Sequence, residues 1–193
     1  MFDHLAQLIV LFFVIFDPLM SFAVFSALTV HLTKRERRRT AILGIVVAAF
    51  VSYAVLLFGE RLLVLFNTNL NDLKIAGGVI LGLLGIKMTL GQPITEGGEG
   101  NGKSGRAIAA IIGSPLLTGP AAITAIIITV HDYGRPVTAL SVGIVLVFTG
   151  LLLAQATLVN RVVGKTPIQV ISTILGLITV SWAVTFIRQG LAA

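Results

Sequence analysis

Long apolar runs separated by short polar stretches set the plan of this chain. Crossing a bilayer takes roughly 20 residues of helix. Six runs approach or exceed that length, at residues 5–30, 40–58, 71–90, 106–130, 137–158 and 168–188. The pattern predicts an all-α polytopic membrane protein, with six transmembrane helices in one transmembrane domain over residues 1–193. The first run does not read as a cleaved signal peptide. It lacks a basic n-region, and its polar interruption is an acid rather than a small-residue cleavage site.

Two runs are interrupted in the same way. The first contains Phe16-Asp17-Pro18-Leu19 and the fourth contains Gly113-Ser114-Pro115-Leu116-Leu117-Thr118-Gly119-Pro120. Each sets a helix-capping side chain directly before a proline, which lacks the N–H a helix interior needs. Helices 1 and 4 are therefore expected to be broken, within a few residues of Asp17–Pro18 and between Ser114 and Pro120, with Pro18, Pro115 and Pro120 as the breaking residues. Inside a bilayer such a break survives only where protein or a water-filled cavity covers it. Broken spans in corresponding positions of two halves point to a transporter's binding site.

The chain divides at a Gly-rich linker over residues 91–105. Its Gly100-Asn101-Gly102-Lys103-Ser104 lacks the glycine spacing and the preceding strand of a phosphate loop. Repeat 1 covers about residues 1–90 and repeat 2 about 106–193, with three spans each. An odd number per half turns the second half over, which gives an inverted repeat. Internal similarity agrees: Asp17-Pro18-Leu19 aligns with Ser114-Pro115-Leu116, Gly77 with Gly176, and Gly91 with Gly190. The four-residue spacings Gly78/Gly82 and Ser172/Gly176 place small residues on single helix faces. That predicts close helix packing, or alternatively the lining of a substrate path.

Composition sharpens the picture. Hydrophobic residues make up 56% of the chain and charged residues 11%. The mean hydropathy of +1.01 is too apolar for a soluble domain. With no cysteine, disulfides, thiolate metal sites and Cys nucleophiles are excluded. The three histidines sit at span ends or in loops, so no metal site is expected. The net charge of +6 does not signal nucleic acid. Five of the 14 basic residues fall at positions 34–39, read as a short connection between spans. Others (Lys103, Arg106, Arg161, Lys165) fall in the remaining odd-numbered loops. The positive-inside rule then places those loops in the cytoplasm and both termini outside.

Asp17 is the one acid well inside an expected span. A charge at mid-bilayer costs about 2.5–3.5 kcal/mol on insertion scales, and such residues mark pathways. Asp17 either caps the half-helix beginning at Pro18, or caps it and also binds a cation. Half-helix N-termini suit a carboxylate. Unwound carbonyls and the Asp17 carboxylate suit a cation or ammonium group. A site with both polarities matches an amino acid. Ser21, Ser114, Leu117, Thr118, Gly119 and Thr124 are its further candidate residues, although Ser and Thr hydroxyls often bond back to their own helix. No nucleophile–base pair is evident, so an enzyme is not expected. Lys87, near a span end, is expected to snorkel.

These segments together resemble the MarC family of six-span membrane proteins, which includes small neutral amino acid transporters of the SnatA type. The resemblance covers nearly the whole chain. It is carried by Phe16-Asp17-Pro18-Leu19, the stretch from Thr33 to Arg39, Phe58-Gly59-Glu60, Ile75-Ala76-Gly77-Gly78, and Pro115-Leu116-Leu117-Thr118-Gly119-Pro120-Ala121-Ala122-Ile123-Thr124. The family's first break commonly runs Asp-Pro-x-Gly-Asn-x-Pro. Here Met20, Ser21 and Ala23 stand at its Gly, Asn and second Pro. The resemblance implies a secondary transporter of the cytoplasmic membrane moving small neutral amino acids such as glycine or alanine. Coupling to H⁺ or Na⁺ would run through Asp17, with no other cofactor. The alternatives are an ion channel or passive pore, and a non-transporting membrane protein.

Overall fold

The computed structural model describes residues 2–65, 67–91, 117–155 and 165–192. Among these every regular element is an α-helix: α1 (Phe2–Phe16), α2 (Pro18–Leu28), α3 (Lys34–Leu65), α4 (Leu70–Thr89), α5 (Pro120–Tyr133), α6 (Arg135–Ala154) and α7 (Lys165–Leu191). The expected residues Ser114 and Pro115, and positions 92–105 of the expected linker, lie outside the described residues.

Four segments are long and apolar enough to cross a membrane: His4–Ser26, which runs through the α1–α2 break, α3, α6, and Val170–Leu191 of α7. The other two described helices fall short for different reasons. α4 carries Asp72, Lys74 and Lys87 within its 20 residues. α5 has only 14 residues, or about 21 Å of rise against a hydrocarbon thickness of roughly 30 Å.

The basic stretch at 34–39 is not a connection, as its polarity suggests, but the opening of α3. Thr33 and Glu36 form a capping box that starts the helix there. The Thr33 N–H and hydroxyl donate to Glu36 Oε2 at 2.9 and 2.7 Å, and the Glu36 N–H donates to Thr33 Oγ1 at 3.3 Å. Arg37 ties α3 to the preceding helix by donating to the Thr29 carbonyl at 2.8 Å. Between α5 and α6 a single residue, Gly134 at φ +86°, ends one helix and opens the next. An L side chain rarely adopts that conformation.

The helices on either side of the Asp17 break, together with α5, form the centre. The window through α1 and α2 is 61% buried, against 28–39% for the other three membrane-length segments. Its Phe12, Phe16, Phe22 and Phe25 are fully enclosed. α5 is buried over nearly its whole circumference, from Ala121 to Val130, as expected of a helix that is apolar all round. The longer helices surround this centre and turn large apolar side chains outward, among them Phe50, Val64, Leu83 and Val147. α4 and α7 make the most extensive helix–helix interface.

Several contacts gather at one end of the bundle. His4 meets Tyr133, with ring centroids 5.3 Å apart. Lys74 pairs with Asp132 at 3.3 Å, and Arg135 with Glu60 at 3.5 Å. Gly190 lies against Asn71.

Candidate functional site

α1 stops at Phe16 because residue 18 has no N–H to continue the ladder. Asp17 takes the left-handed conformation (φ 38°, ψ 72°), one that Asp tolerates better than most residues. Its Oδ1 accepts from the Met20 N–H at 3.1 Å, capping α2, with Pro18 in the first turn. The expected cap and break are both present. The other carboxylate oxygen, Oδ2, accepts from the Ser172 hydroxyl of α7 at 3.1 Å. The carboxylate is therefore gripped from both halves of the chain while remaining buried.

The described end of the second expected break, residues 117–120, lies opposite. Leu117 and Thr118 form an irregular turn, Gly119 is extended, and α5 starts at Pro120. Gly119, at the cap position, has no side chain with which to cap this N-terminus. Its first intrahelical bond runs from the Ile123 N–H to the Gly119 carbonyl. The N–H groups of Ala121 and Ala122 precede that bond, and the first N–H groups of a helix have no intrahelical acceptor.

A cavity of about 200 Å³ lies between the first break and the start of α5. The first break lines it with Asp17, Met20 and Ser21, and the second with Leu117, Gly119 and Pro120. Ala121 and Ala122 at the start of α5 also face it. Ile80, Leu84 and Met88 form its third wall, four residues apart along one face of α4. A second hollow of about 490 Å³ lies between α1, α5 and α7, with Gln7, Asp132, Tyr133 and Trp182 in its lining. Leu11 borders this second hollow and Ile15 the first. The two cavities are thus about one turn, or roughly 6 Å, apart along α1.

The structure separates the sequence candidates. Asp17, Ser21, Leu117 and Gly119 come together at the cavity. The Ser21 hydroxyl is engaged locally, donating to the Phe16 carbonyl at 3.1 Å. Thr118 is buried beside the cavity and is not part of its lining. Thr124 belongs to a helix crossing instead. Its side chain fills the space that a Cβ on Gly77 would need, which locks α5 to α4. Ser172 was legible only as a small residue, and its bond to Asp17 spans 155 positions of sequence. The α4 wall had a signal, an apolar i, i+4, i+8 stripe, but nothing local aimed it at a cavity.

Comparison with known proteins gives consistent results. A sequence model of the family described as MarC family integral membrane protein matches residues 2–193. The inner membrane protein YhgN of Escherichia coli is 26% identical over 185 residues, covering 94% of this chain and 93% of that protein. A membrane protein of Methanocaldococcus jannaschii is 31% identical over 187 residues, covering 93% and 91%. A membrane protein of Buchnera aphidicola is 26% identical over 186 residues, covering 95% and 94%. No solved structure matches the chain.

Proposed function

The chain belongs to the MarC family of integral membrane proteins, and from that premise we propose that it is a secondary transporter for small neutral amino acids of the SnatA type, coupled to H⁺ or Na⁺. The observation that carries this reading is the cavity between the first break and the start of α5. One wall offers the Asp17 carboxylate and the other offers the N-terminus of α5, whose cap residue is the glycine Gly119. A carboxylate favours an ammonium group or a metal cation, and a helix N-terminus favours a carboxylate. An α-amino acid carries both complements on one carbon.

Size selects among amino acids. About 200 Å³ is the liquid volume of roughly seven waters at about 30 Å³ each. It falls below the roughly 300–1,000 Å³ of sites for drug-sized ligands. With Ile80, Leu84 and Met88 closing the third side, the space left beyond the two charged groups suits a hydrogen, a methyl or a hydroxymethyl.

The packing pattern supports six spans in two inverted halves. α2 packs on α6 as α5 packs on α3. α4 packs on α5 as α7 packs on α2. α3 with α6 and α4 with α7 are the pairs that an axis between the halves carries into themselves. In this arrangement the second hollow is the vestibule by which cargo reaches the outer face, and the cytoplasmic membrane is the site of action.

The decisive experiment is counterflow in proteoliposomes preloaded with unlabelled glycine or alanine. Labelled glycine, alanine and serine should accumulate transiently and saturably, with threonine weaker. Conductance without saturable exchange would make the protein a channel. The absence of both flux and conductance would leave a non-transporting membrane protein.

Orientation gives a second test. The end that gathers Glu60, Lys74, Asp132 and Arg135 has its charges paired across helices, whereas positions 34–39 carry a concentrated positive charge. By the positive-inside rule the basic end faces the cytoplasm. Reporters fused to the N- and C-termini should both register as extracytoplasmic. A cytoplasmic C-terminus would refute either the orientation or the even number of spans.

A further inference from the structure

α3 has two faces of opposite character at its N-terminal end. Thr40, Ala41, Gly44, Ala48 and Ser52 are buried against the bundle. At 100° per residue the opposite side of the helix carries Arg35 and Arg39 in its first turns, with Arg38 on its flank, and then Ile42, Val46 and Phe50. These last three are 52%, 57% and 75% exposed. Lys34, Arg35, Arg38, Arg39, Ile42 and Leu43 bound an open hollow of about 720 Å³.

We propose that this stripe is a binding site for one anionic phospholipid, with the phosphate held by Arg35, Arg38 and Arg39 and an acyl chain lying along Ile42, Val46 and Phe50. Charge and length both favour this occupant. Among the described residues no carboxylate forms an ion pair with Lys34, Arg35, Arg38 or Arg39. The neighbouring acid, Glu36, is occupied with Thr33. Arg37, on another side of the helix, is committed to the Thr29 carbonyl. From Arg39 to Phe50 the helix rises about 16 Å, and one leaflet of hydrocarbon is about 15 Å thick. α3 has 32 residues, or roughly 48 Å of rise. With its apolar part in the hydrocarbon, its first turns therefore stand at headgroup level. A guanidinium presents a planar fork that matches phosphate oxygens in pairs. A membrane-facing apolar stripe beneath a cationic cluster thus meets both ends of the same lipid.

A cluster that served only to orient the protein would hold all phospholipids alike. The test is native mass spectrometry of the purified full chain, titrated with phosphatidylglycerol or with phosphatidylcholine of the same chains. The site predicts preferential retention of phosphatidylglycerol. R38Q/R39Q should reduce that preference by about fivefold for each guanidinium removed. Phe50→Ala should weaken retention of both lipids. Equal retention of the two lipids by the wild type, or an unchanged preference in R38Q/R39Q, would overturn the proposal. If R38Q/R39Q fails to insert, R38K/R39K keeps the orienting charge and removes the forks, and an unaltered preference there overturns it equally. Glycerol phosphate, the headgroup chemistry without chains, is the competitor. Full displacement of the lipid by glycerol phosphate at equal concentration would assign the site to a soluble anion instead.

Discussion

Alanine at Gly85 or at Gly176 should destabilise the folded protein by about 1–3 kcal/mol, the range for overpacking a tight contact. The sign is opposite to the ordinary effect, since Gly to Ala inside a helix favours helix by about 1 kcal/mol. The cause is the α4–α7 crossing. A Cβ on Gly85 would stand 2.8 Å from the Gly176 carbonyl oxygen and 2.9 Å from the Val180 nitrogen. A Cβ on Gly176 would stand 2.8 Å from the Thr89 nitrogen and 2.9 Å from the Gly85 carbonyl oxygen. These are backbone atoms that no rotamer change can move. Without an aqueous hydrophobic effect between helices, close packing is what holds membrane helices together, so the lost contact is not readily replaced. Gly82→Ala on the same helix is the internal control. Its added methyl would meet only Ala183 Cβ at 3.6 Å, an ordinary contact, and should be neutral or slightly stabilising. Thermal unfolding in detergent should separate the two by about 2–4 °C per kcal/mol. Equal midpoints for Gly82→Ala and Gly85→Ala would refute the crossing.

That pair also shows where sequence reading stops. Four-residue spacing singles out Gly78 and Gly82, and Gly78 is indeed tight, since a Cβ there would lie 2.8 Å from the Ala183 carbonyl oxygen. Gly82 is not tight, and Gly85, seven residues from Gly78, is. Which of several small residues sits at the point of nearest approach depends on the crossing of two helices about 90 residues apart in sequence, which local spacing does not encode. The Asp17–Pro18 break was fully legible because cap and proline act within one turn. The opening of α3 had an equally local signal in Thr33-x-x-Glu36, which high charge density hid by suggesting a loop. At the cavity, Asp17, Ser21, Leu117 and Gly119 were legible as breaks in apolar runs. Ser172 and the α4 wall were not, because their roles come from tertiary contact alone. Thr124 shows the converse case. A hydroxyl near a break suggests ligand binding, but here its side chain seals a helix crossing against Gly77.

Asp17→Asn should remove coupled uptake while leaving a folded, inserted protein. Asn ranks beside Asp as an N-cap and tolerates the left-handed conformation that residue 17 adopts. Its amide oxygen can replace Oδ1 as acceptor for the Met20 N–H. The amide nitrogen would replace Oδ2, and the Ser172 hydroxyl can turn from donor to acceptor to meet it. Cap, break and α7 contact all survive, and only the negative charge is lost. A hydrogen bond to a charged group is worth about 1.5–3 kcal/mol, so losing the partner of an ammonium group or coupling cation should lower uptake by about one to two orders of magnitude. Ser172→Ala separates positioning from charge. It keeps the carboxylate, frees one oxygen, and should cut uptake by less than Asp17→Asn while leaving ion dependence in place. Asp17→Ala removes the cap as well and adds a loss of about 1 kcal/mol in stability. Ser114→Ala, at the matching position of the second half, should affect stability more than ion dependence. The readouts are initial rates of amino acid uptake into proteoliposomes with and without an imposed H⁺ or Na⁺ gradient, set beside the thermal midpoint of each variant. Wild-type rates and wild-type gradient dependence in Asp17→Asn would reduce Asp17 to a structural cap. Cargo binding would then rest on the N-terminus of α5 and the backbone at residues 117–119.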